Sequence, residues 1–393
     1  MSSLDAQQVR IAIVGAGMTG LTAALTLAAS GVQGVAVFEA AHALEEVGAG
    51  IAIGGNAVRV LQALGVNPAR FGHTPPALEF RSWDNAKVLS STSIGPGYTH
   101  DMGAPYLTFH RSTLQQAFVQ RARTLGVDLT ADRRLVAVDP GSDERRARLE
   151  FAHGAPVEAD IVIAADGIRS ATRACIVPAA WPRYSGEIAF RGVVPAERVP
   201  AYPSPENLSI WCGPRTHAVN YAVDDGRLVN LFAVFRPASL PPWTANSNRQ
   251  RGERAEAVSN FAGRGWHQSI VDLIAAAEGD LHYWALTSIH RVATGRGTPD
   301  ASSDDGAEAA VGLRFERFPG RTGLWLLVVI SFVSVWVIVC GHARPPAPAQ
   351  VGAKATARRS ASAWLKRRAQ GQRSGMRRVG RPERLTRRPG TAK

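Results

Sequence analysis

Residues 9–14 read Val-Arg-Ile-Ala-Ile-Val and run directly into Gly15-Ala16-Gly17-Met18-Thr19-Gly20, after which Leu21 to Ser30 is rich in alanine and leucine. A β-branched run, a glycine turn and a helix-forming stretch, in that order, predict a strand, a tight turn and a helix. A second apolar run, Val35 to Phe38, ends at Glu39, 19 positions after Gly20. That spacing closes a βαβ unit of the size that binds dinucleotides. Each residue type has its reason: Gly15 allows the turn, Gly17 lets the backbone approach a pyrophosphate, and Gly20 permits close packing of helix on strand. The helix N-terminus offers N–H donors and a positive dipole end, and Glu39 is an acceptor for a ribose diol. On this reading Gly15→Val costs the dinucleotide before it costs the fold.

The remainder of the 393 residues narrows the class further. Apolar residues make up 45% of the chain and charged ones 20%, which excludes a wholly disordered or collagen-like protein and suggests about two domains. Cys175, Cys212 and Cys340 are too few and too scattered for a disulfide framework or a zinc site, so no metal and a reducing, cytoplasmic compartment are expected. The net charge of +13 is misleading, because residues 342–393 hold 15 of the 45 basic residues and one acid, Glu383. The body is close to neutral, and a nucleic-acid partner is not expected.

Along the body, helices are expected over 56–63 and 112–125, a hairpin over 135–138 and 148–151, and a strand over 159–165 that ends in Asp166-Gly167. Short β-like runs over 188–194, 217–223 and 228–235 make a sheet-rich insert. The chain then reads as 1–183, a discontinuous dinucleotide-binding domain; 184–286, a β-sheet substrate domain; 287–323, a divergent linker; 324–340, an apolar segment; and 341–393, a basic disordered tail.

Six ordered segments carry a resemblance to a known family: Ile11–Gly20 (IAIVGAGMTG), Glu46–Asn56 (EVGAGIAIGGN), His110–Leu114 (HRSTL), Ala164–Arg173 (AADGIRSATR), Ala189–Val194 (AFRGVV) and Gly213–Tyr221 (GPRTHAVNY). Together they resemble the FAD-dependent aromatic hydroxylases, single-component flavin monooxygenases that include salicylate and hydroxybenzoate hydroxylases. The resemblance implies an α/β fold, a Rossmann-type FAD/NAD(P)-binding domain carrying an inserted, mainly antiparallel substrate sheet. It implies FAD as cofactor, NAD(P)H as co-substrate, and O2 with a small aromatic molecule as reactants. Residue by residue, it places the ADP half of FAD on Gly15, Gly17, Gly20 and Glu39, the backbone of Ala49 and Gly50 facing the cofactor, and Arg111 toward the pyrophosphate or ribityl chain. Asp166 and Gly167 form a turn that serves both nucleotides.

In this family the protein positions reactants and tunes charge around the cofactor's own chemistry. Relatives that act on phenols polarise or deprotonate the hydroxyl, and the candidates here are Arg191, His217 and Tyr221. Arg191 suits a substrate carboxylate or negative charge near the flavin, and Tyr221 a hydrogen bond to substrate or cofactor. His217 and Tyr221 are four apart, so on a strand they share a face. Trp211, Phe232 and Phe235 are expected in the core.

The family pattern fails near the C-terminus. The Gly-Asp-Ala-Ala-His-type motif that follows the sheet domain is absent, with only Gly341-His342-Ala343, Pro345-Pro346, Gln350 and Gly352 resembling its downstream half. One account of the sequence after about residue 297 is translated intron and shifted-frame DNA, since T-rich codons give the composition of 324–340 and GC-rich DNA gives that of the tail. On this account the chain is a flavoprotein impaired by the loss of its second FAD motif. The other account is a membrane anchor over the 17 uncharged residues 324–340, making a membrane-associated monooxygenase of a hydrophobic substrate. At 1.5 Å per residue that helix spans about 25 Å against a roughly 30 Å hydrocarbon core, and it would require the enzyme domain to cross without a signal peptide. Eight β-branched residues (Val328, Val329, Ile330, Val333, Val335, Val337, Ile338 and Val339) also admit a strand pair.

Overall fold

The computed structural model describes residues 10–44, 50–142, 144–176, 182–199, 202–214, 216–237, 249–278, 282–288, 314–317, 324–330 and 334–340. Ala49, the 287–323 linker apart from residues 287–288 and Arg314–Arg317, and the 341–393 tail lie outside the described residues. The strand Ile11–Val14 sits in the middle of a parallel array, with Val35–Phe38 on one side, Ile161–Ala164 on the other, and Asp128–Thr130 beyond Val35–Phe38. All four residues of Ile11–Val14 are buried, as expected of a strand covered on both faces. The helix Met18–Ala29 buries Gly20, Leu21, Ala24 and Leu25, a stripe at helical spacing that packs with Arg111–Thr124 over one face of the sheet. On the other face lies a three-stranded sheet of Leu135–Asp139, Ala147–Phe151 and Val157–Ala159, whose Leu135, Leu149 and Phe151 share a core with Ala12, Val14 and Phe38.

The array continues past Ile161–Ala164 with Ser334–Cys340, Leu324–Ile330 and Arg314–Arg317. The 324–340 segment is thus two antiparallel strands, corresponding to the strand pair and not to a membrane-crossing helix. The β-branched residues explain the preference, since their stiff side chains fit a pleated sheet better than a helix. Among the described residues no helix is long and apolar enough to cross a membrane. Ser334–Cys340 runs antiparallel to its neighbour, with Ala164 opposite Trp336 and Ile161 opposite Val339.

The second sheet has eight strands, in the order Arg249–Arg251, His282–Ser288, Arg183–Pro195, Leu228–Phe235, Thr216–Val223, Leu208–Gly213, Ala77–Ser82 and Val88–Ser93. Its pairing is antiparallel except where Leu208–Gly213 meets Ala77–Ser82 in parallel. The sheet therefore reaches outside 184–286 and takes two strands from the N-terminal half. One face packs against the helices Arg254–Ala262 and Gln268–Ala276 through Phe190, Trp211, Leu231, Phe235, Phe261, Ile270 and Leu273. The other face looks toward a two-stranded sheet of Gly50–Ile53 and Leu107–His110.

Candidate functional site

The carboxyl ends of the parallel strands surround a cavity of about 360 Å³, lined by Gly15, Gly17, Met18, Phe38, Glu39, Arg111, Arg133, Arg134, Asp166, Gly167 and Arg169 among others. This is where an open α/β sheet binds its ligand. The three motif glycines do different work. Gly15 has φ +101°, and a side chain there would begin 2.4 Å from the Ala165 carbonyl oxygen. A Cβ on Gly20 would lie 1.9 Å from the Gly15 carbonyl oxygen. Gly17 alone has nothing within 4 Å of that position, so its missing side chain leaves the mouth of the helix Met18–Ala29 open. The expectation for Gly15→Val is corrected accordingly: the left-handed backbone and the strand behind it make the substitution a folding defect first.

Glu39 stands at the end of Val35–Phe38, and its carboxylate accepts hydrogen bonds from the backbone N–H of Ala16 at 2.7 Å and of Ala41 at 2.9 Å. With about four lone-pair sites, it keeps acceptor capacity for a ligand. Asp166 accepts from the backbone and hydroxyl of Thr172 through Oδ2, both at 3.1 Å. Its Oδ1 is buried with no hydrogen-bond partner among the described residues, an arrangement costly enough to point to a bound donor. Arg111 opens the helix Arg111–Thr124, and one turn later Gln115 donates to the Ala16 carbonyl at 3.1 Å, pinning the glycine turn from behind.

Arg133, Arg134, Arg169 and Gln115 escape sequence reasoning. Arg133 and Arg134 reach the cavity because Asp128–Thr130 ends beside Glu39: the Arg133 N–H donates to the Glu39 carbonyl at 2.7 Å, and the Asp132 N–H to that of Ala41 at 2.8 Å. The Arg133 guanidinium lies 4.1 Å from the centre of the Phe151 ring, a cation–π contact that stiffens it. The paired arginines at the strand start were the available signal, but only the tertiary pairing shows that they line the cavity.

The open face of the eight-stranded sheet holds the other candidates. Arg191 lies directly across from Phe232, and Phe232 across from Val219, so the strand alternation brings Arg191, Phe232, His217 and Tyr221 to one face. Phe232 is therefore not in the core, unlike Trp211 and Phe235, which are buried behind the sheet. It is half-buried beneath Arg191 and His217, with ring centres of Phe232 and His217 6.1 Å apart. Trp284, absent from the sequence reading, lies opposite Ala189 on this face.

Gly50 lies away from the cavity and against the sheet. Its N–H donates to Asn230 Oδ1, and a Cβ on it would lie 2.7 Å from the Tyr221 ring. The Thr108 hydroxyl donates to the Ala222 carbonyl at 2.6 Å. The first ties the strand Gly50–Ile53 to Leu228–Phe235, and the second ties its partner Leu107–His110 to Thr216–Val223, the strand that carries Tyr221.

Burial raises the Tyr221 pKa above the ordinary phenol value, with the nearby Arg191 charge pulling it partly back and Tyr106 adding to the rise. The hydroxyl stays protonated across the neutral range. Burial lowers the His217 pKa, and Glu187 partly offsets the effect. His217 is thus a neutral acceptor at neutral pH, and it charges only below its ordinary value of about 6.5. Its contribution to stability is complete above that pH and is lost as pH falls through the lowered folded value. If the ring is needed as an acceptor, kcat/KM falls on the acid side with a midpoint below about 6.5, and His217→Gln flattens that limb. A pH–rate profile checks this; an unchanged acid limb in the variant means that another group is responsible.

The cavity's donors and acceptors suit a dinucleotide. Four arginines against two carboxylates, an open glycine at a helix N-terminus and an unsatisfied aspartate oxygen fit a pyrophosphate with its ribose and ribityl hydroxyls. Among the described residues no cluster of His, Cys, Asp and Glu is arranged to hold a metal ion.

Comparison with known proteins agrees with this geometry. The family model described as FAD binding domain matches residues 8–245. The 3-amino-4-hydroxybenzoate 2-monooxygenase PtnB3 of Streptomyces platensis is 34% identical over 292 residues, covering 73% of this chain and 70% of that protein. The salicylate hydroxylase of Pseudomonas putida is 30% identical over 313 residues, covering 73% and 68%. Among solved structures, Klebsiella pneumoniae HpxO complexed with FAD and uric acid matches with a TM-score of 0.59 at 22% identity, covering 72% of this chain and 69% of that one; a salicylate hydroxylase substrate complex matches with 0.58 at 23%, covering 72% and 69%. At such identities the structures show the fold, and the sequence matches show the lineage. With that family model over more than half of the chain and relatives of 30% identity or more over about 73% of it, this chain belongs to the FAD-dependent aromatic monooxygenases, proteins with an FAD binding domain.

Proposed function

We propose that the protein hydroxylates a small aromatic acid that carries a ring hydroxyl, with NAD(P)H as reductant and O2 as the oxygen source. The observation that carries this reading is the open sheet face on which Arg191, His217 and Tyr221 stand together, its strands hydrogen-bonded through Asn230 and Ala222 to the two-stranded sheet of Gly50–Ile53 and Leu107–His110, whose last residue leads directly into Arg111 at the cavity. The substrates in the relatives' names, 3-amino-4-hydroxybenzoate and salicylate, have the two groups such a face selects, a carboxylate and a ring substituent able to give up a proton.

The cofactor's ADP half would be held by the turn at Gly15 and Gly17, by Gly20 through the packing of its helix, and by Glu39 at the ribose. Arg111 would reach the pyrophosphate or ribityl region, and Asp166 and Gly167 would serve both nucleotides. Bound FAD supplies the redox chemistry, two-electron reduction by NAD(P)H and activation of O2. The chain's own side chains orient the substrate: Arg191 holds the carboxylate, the protonated Tyr221 hydroxyl donates to the substrate oxygen, and neutral His217 accepts the phenolic proton. A cytoplasmic setting fits the supply of NAD(P)H and the three scattered cysteines.

The test is NAD(P)H oxidation by the flavin-loaded protein in the presence of 3-amino-4-hydroxybenzoate, salicylate and 3-hydroxybenzoate, with products analysed for the gain of one oxygen atom. Stimulated oxidation with an oxygenated product supports the reading. Oxidation indifferent to every acid sinks it. Tyr221→Phe should lower kcat/KM about tenfold, the loss of one hydrogen bond worth roughly 1.5 kcal/mol, while leaving visible flavin absorbance intact.

A further inference from the structure

The Arg191 guanidinium lies over two aromatic rings at once, 4.9 Å from the Phe232 centre and 5.5 Å from the Trp284 centre. Both rings come from neighbouring strands on the open face, Phe232 directly opposite Arg191 and Trp284 opposite Ala189, one strand repeat away. Arg191, Phe232 and Trp284 are all half-buried, neither sealed in the core nor free in solvent. A long arginine side chain has several rotatable bonds, and on an open face it would sample many positions. Cation–π contact with two rings restrains it, and its five N–H donors are held in one plane. Donors so arranged suit a planar carboxylate in two-point fashion.

We propose that Phe232 and Trp284 are positioning residues that hold the Arg191 guanidinium in place to receive the carboxylate of the aromatic substrate, and so set the preference for an acid over its neutral counterpart. The inference rests on the reading of Arg191 as the carboxylate anchor. Its distinctive content is that specificity for a charged group depends on two uncharged rings, neither of which has to touch that group.

The probe is whichever of 3-amino-4-hydroxybenzoate, salicylate and 3-hydroxybenzoate most stimulates NAD(P)H oxidation, compared with its carboxamide. Phe232→Leu and Trp284→Leu are each expected to raise KM for the acid about tenfold and to change KM for the carboxamide less than twofold, with the loss falling on KM rather than kcat. Phe232→Tyr and Trp284→Phe, which keep a ring, should restore acid binding to within about threefold of the parent. Flavin content and the thermal midpoint are read on the same samples, and Phe232→Met replaces the leucine variant if that one does not fold. Equal rises for acid and carboxamide, or no rise for the acid, overturn the proposal. Arg191→Gln separates this failure from failure of the reading beneath it: if that variant treats acid and carboxamide alike relative to the parent, Arg191 is not the anchor and both fall. If it weakens only the acid while the leucine variants do not, the anchor stands and the role of the rings is wrong.

Discussion

Gly20→Val should yield no folded protein, whereas Gly17→Val should yield a folded, colourless one. The two positions are three residues apart in one motif, and their surroundings are opposite. A Cβ on Gly20 would sit 1.9 Å from the Gly15 carbonyl oxygen and 3.2 Å from the Ala165 side chain. Those atoms belong to a turn and to a strand end that cannot retreat without moving helix and sheet apart. Overpacking against fixed backbone costs on the order of 3–5 kcal/mol, a large share of the roughly 5–15 kcal/mol that holds a domain together. Gly17 has φ −69° and ψ 177°, open to any residue, and space where its side chain would go. Valine there gives up a good helix cap, about 1 kcal/mol, and fills the approach to the helix N-terminus. Thermal melts and visible absorbance of the purified variants separate the two effects. A yellow Gly17→Val protein would mean that the pyrophosphate does not pass over that glycine.

Arg191→Gln should lower kcat/KM for the aromatic acid about 100-fold with flavin content unchanged. Glutamine keeps a polar end but loses the charge and the planar fork, and a charge-assisted pair in a partly desolvated site is worth about 2–3 kcal/mol. Steady-state kinetics on acid concentration is the measurement. A loss of flavin instead of turnover would place Arg191 at the cofactor and empty the sheet face of its anchor.

The cofactor half of this protein was legible in the sequence because its determinants are local. Glycine turns and β-branched runs announce themselves over a few residues, and the observed Ile11–Val14, Met18–Ala29, Val35–Phe38 and Ile161–Ala164 lie within or close to the segments that the pattern marks. The sheet face was partly legible, since Arg191, His217 and Tyr221 stand in recognisable segments and strand alternation relates the last two. What was not legible depends on registry between distant strands. Phe232 reads as core because aromatic residues in apolar runs usually are, and only its position opposite Arg191 reveals the open face. Arg133 and Arg134 are two surface-like charges until Asp128–Thr130 pairs beside Val35–Phe38. The 324–340 segment satisfies an apolar helix or a strand pair equally well by length and hydropathy, and branching at Cβ was the only discriminating cue.

The parallel pairing of Ala77–Ser82 with Leu208–Gly213 means that the substrate sheet cannot be cut out of this chain at 184 and 286. Such a fragment would leave Leu208–Gly213 as a bare edge, a template for aggregation. It would also lose the buried Arg81–Glu79 pair, together with the acceptor that Glu79 gives Asn207 and the contact of Arg81 with Ser204. Strands separated by some 130 residues must find each other before this sheet is whole, so contact order is high and folding should be slow, with the N-terminal hairpin waiting for its partner. Newly made chain would then expose Phe80, Val88 and Leu89, already surface-lying in the finished fold, for as long as that wait lasts, making the 77–93 hairpin the segment through which a stalled chain first meets other chains or a chaperone.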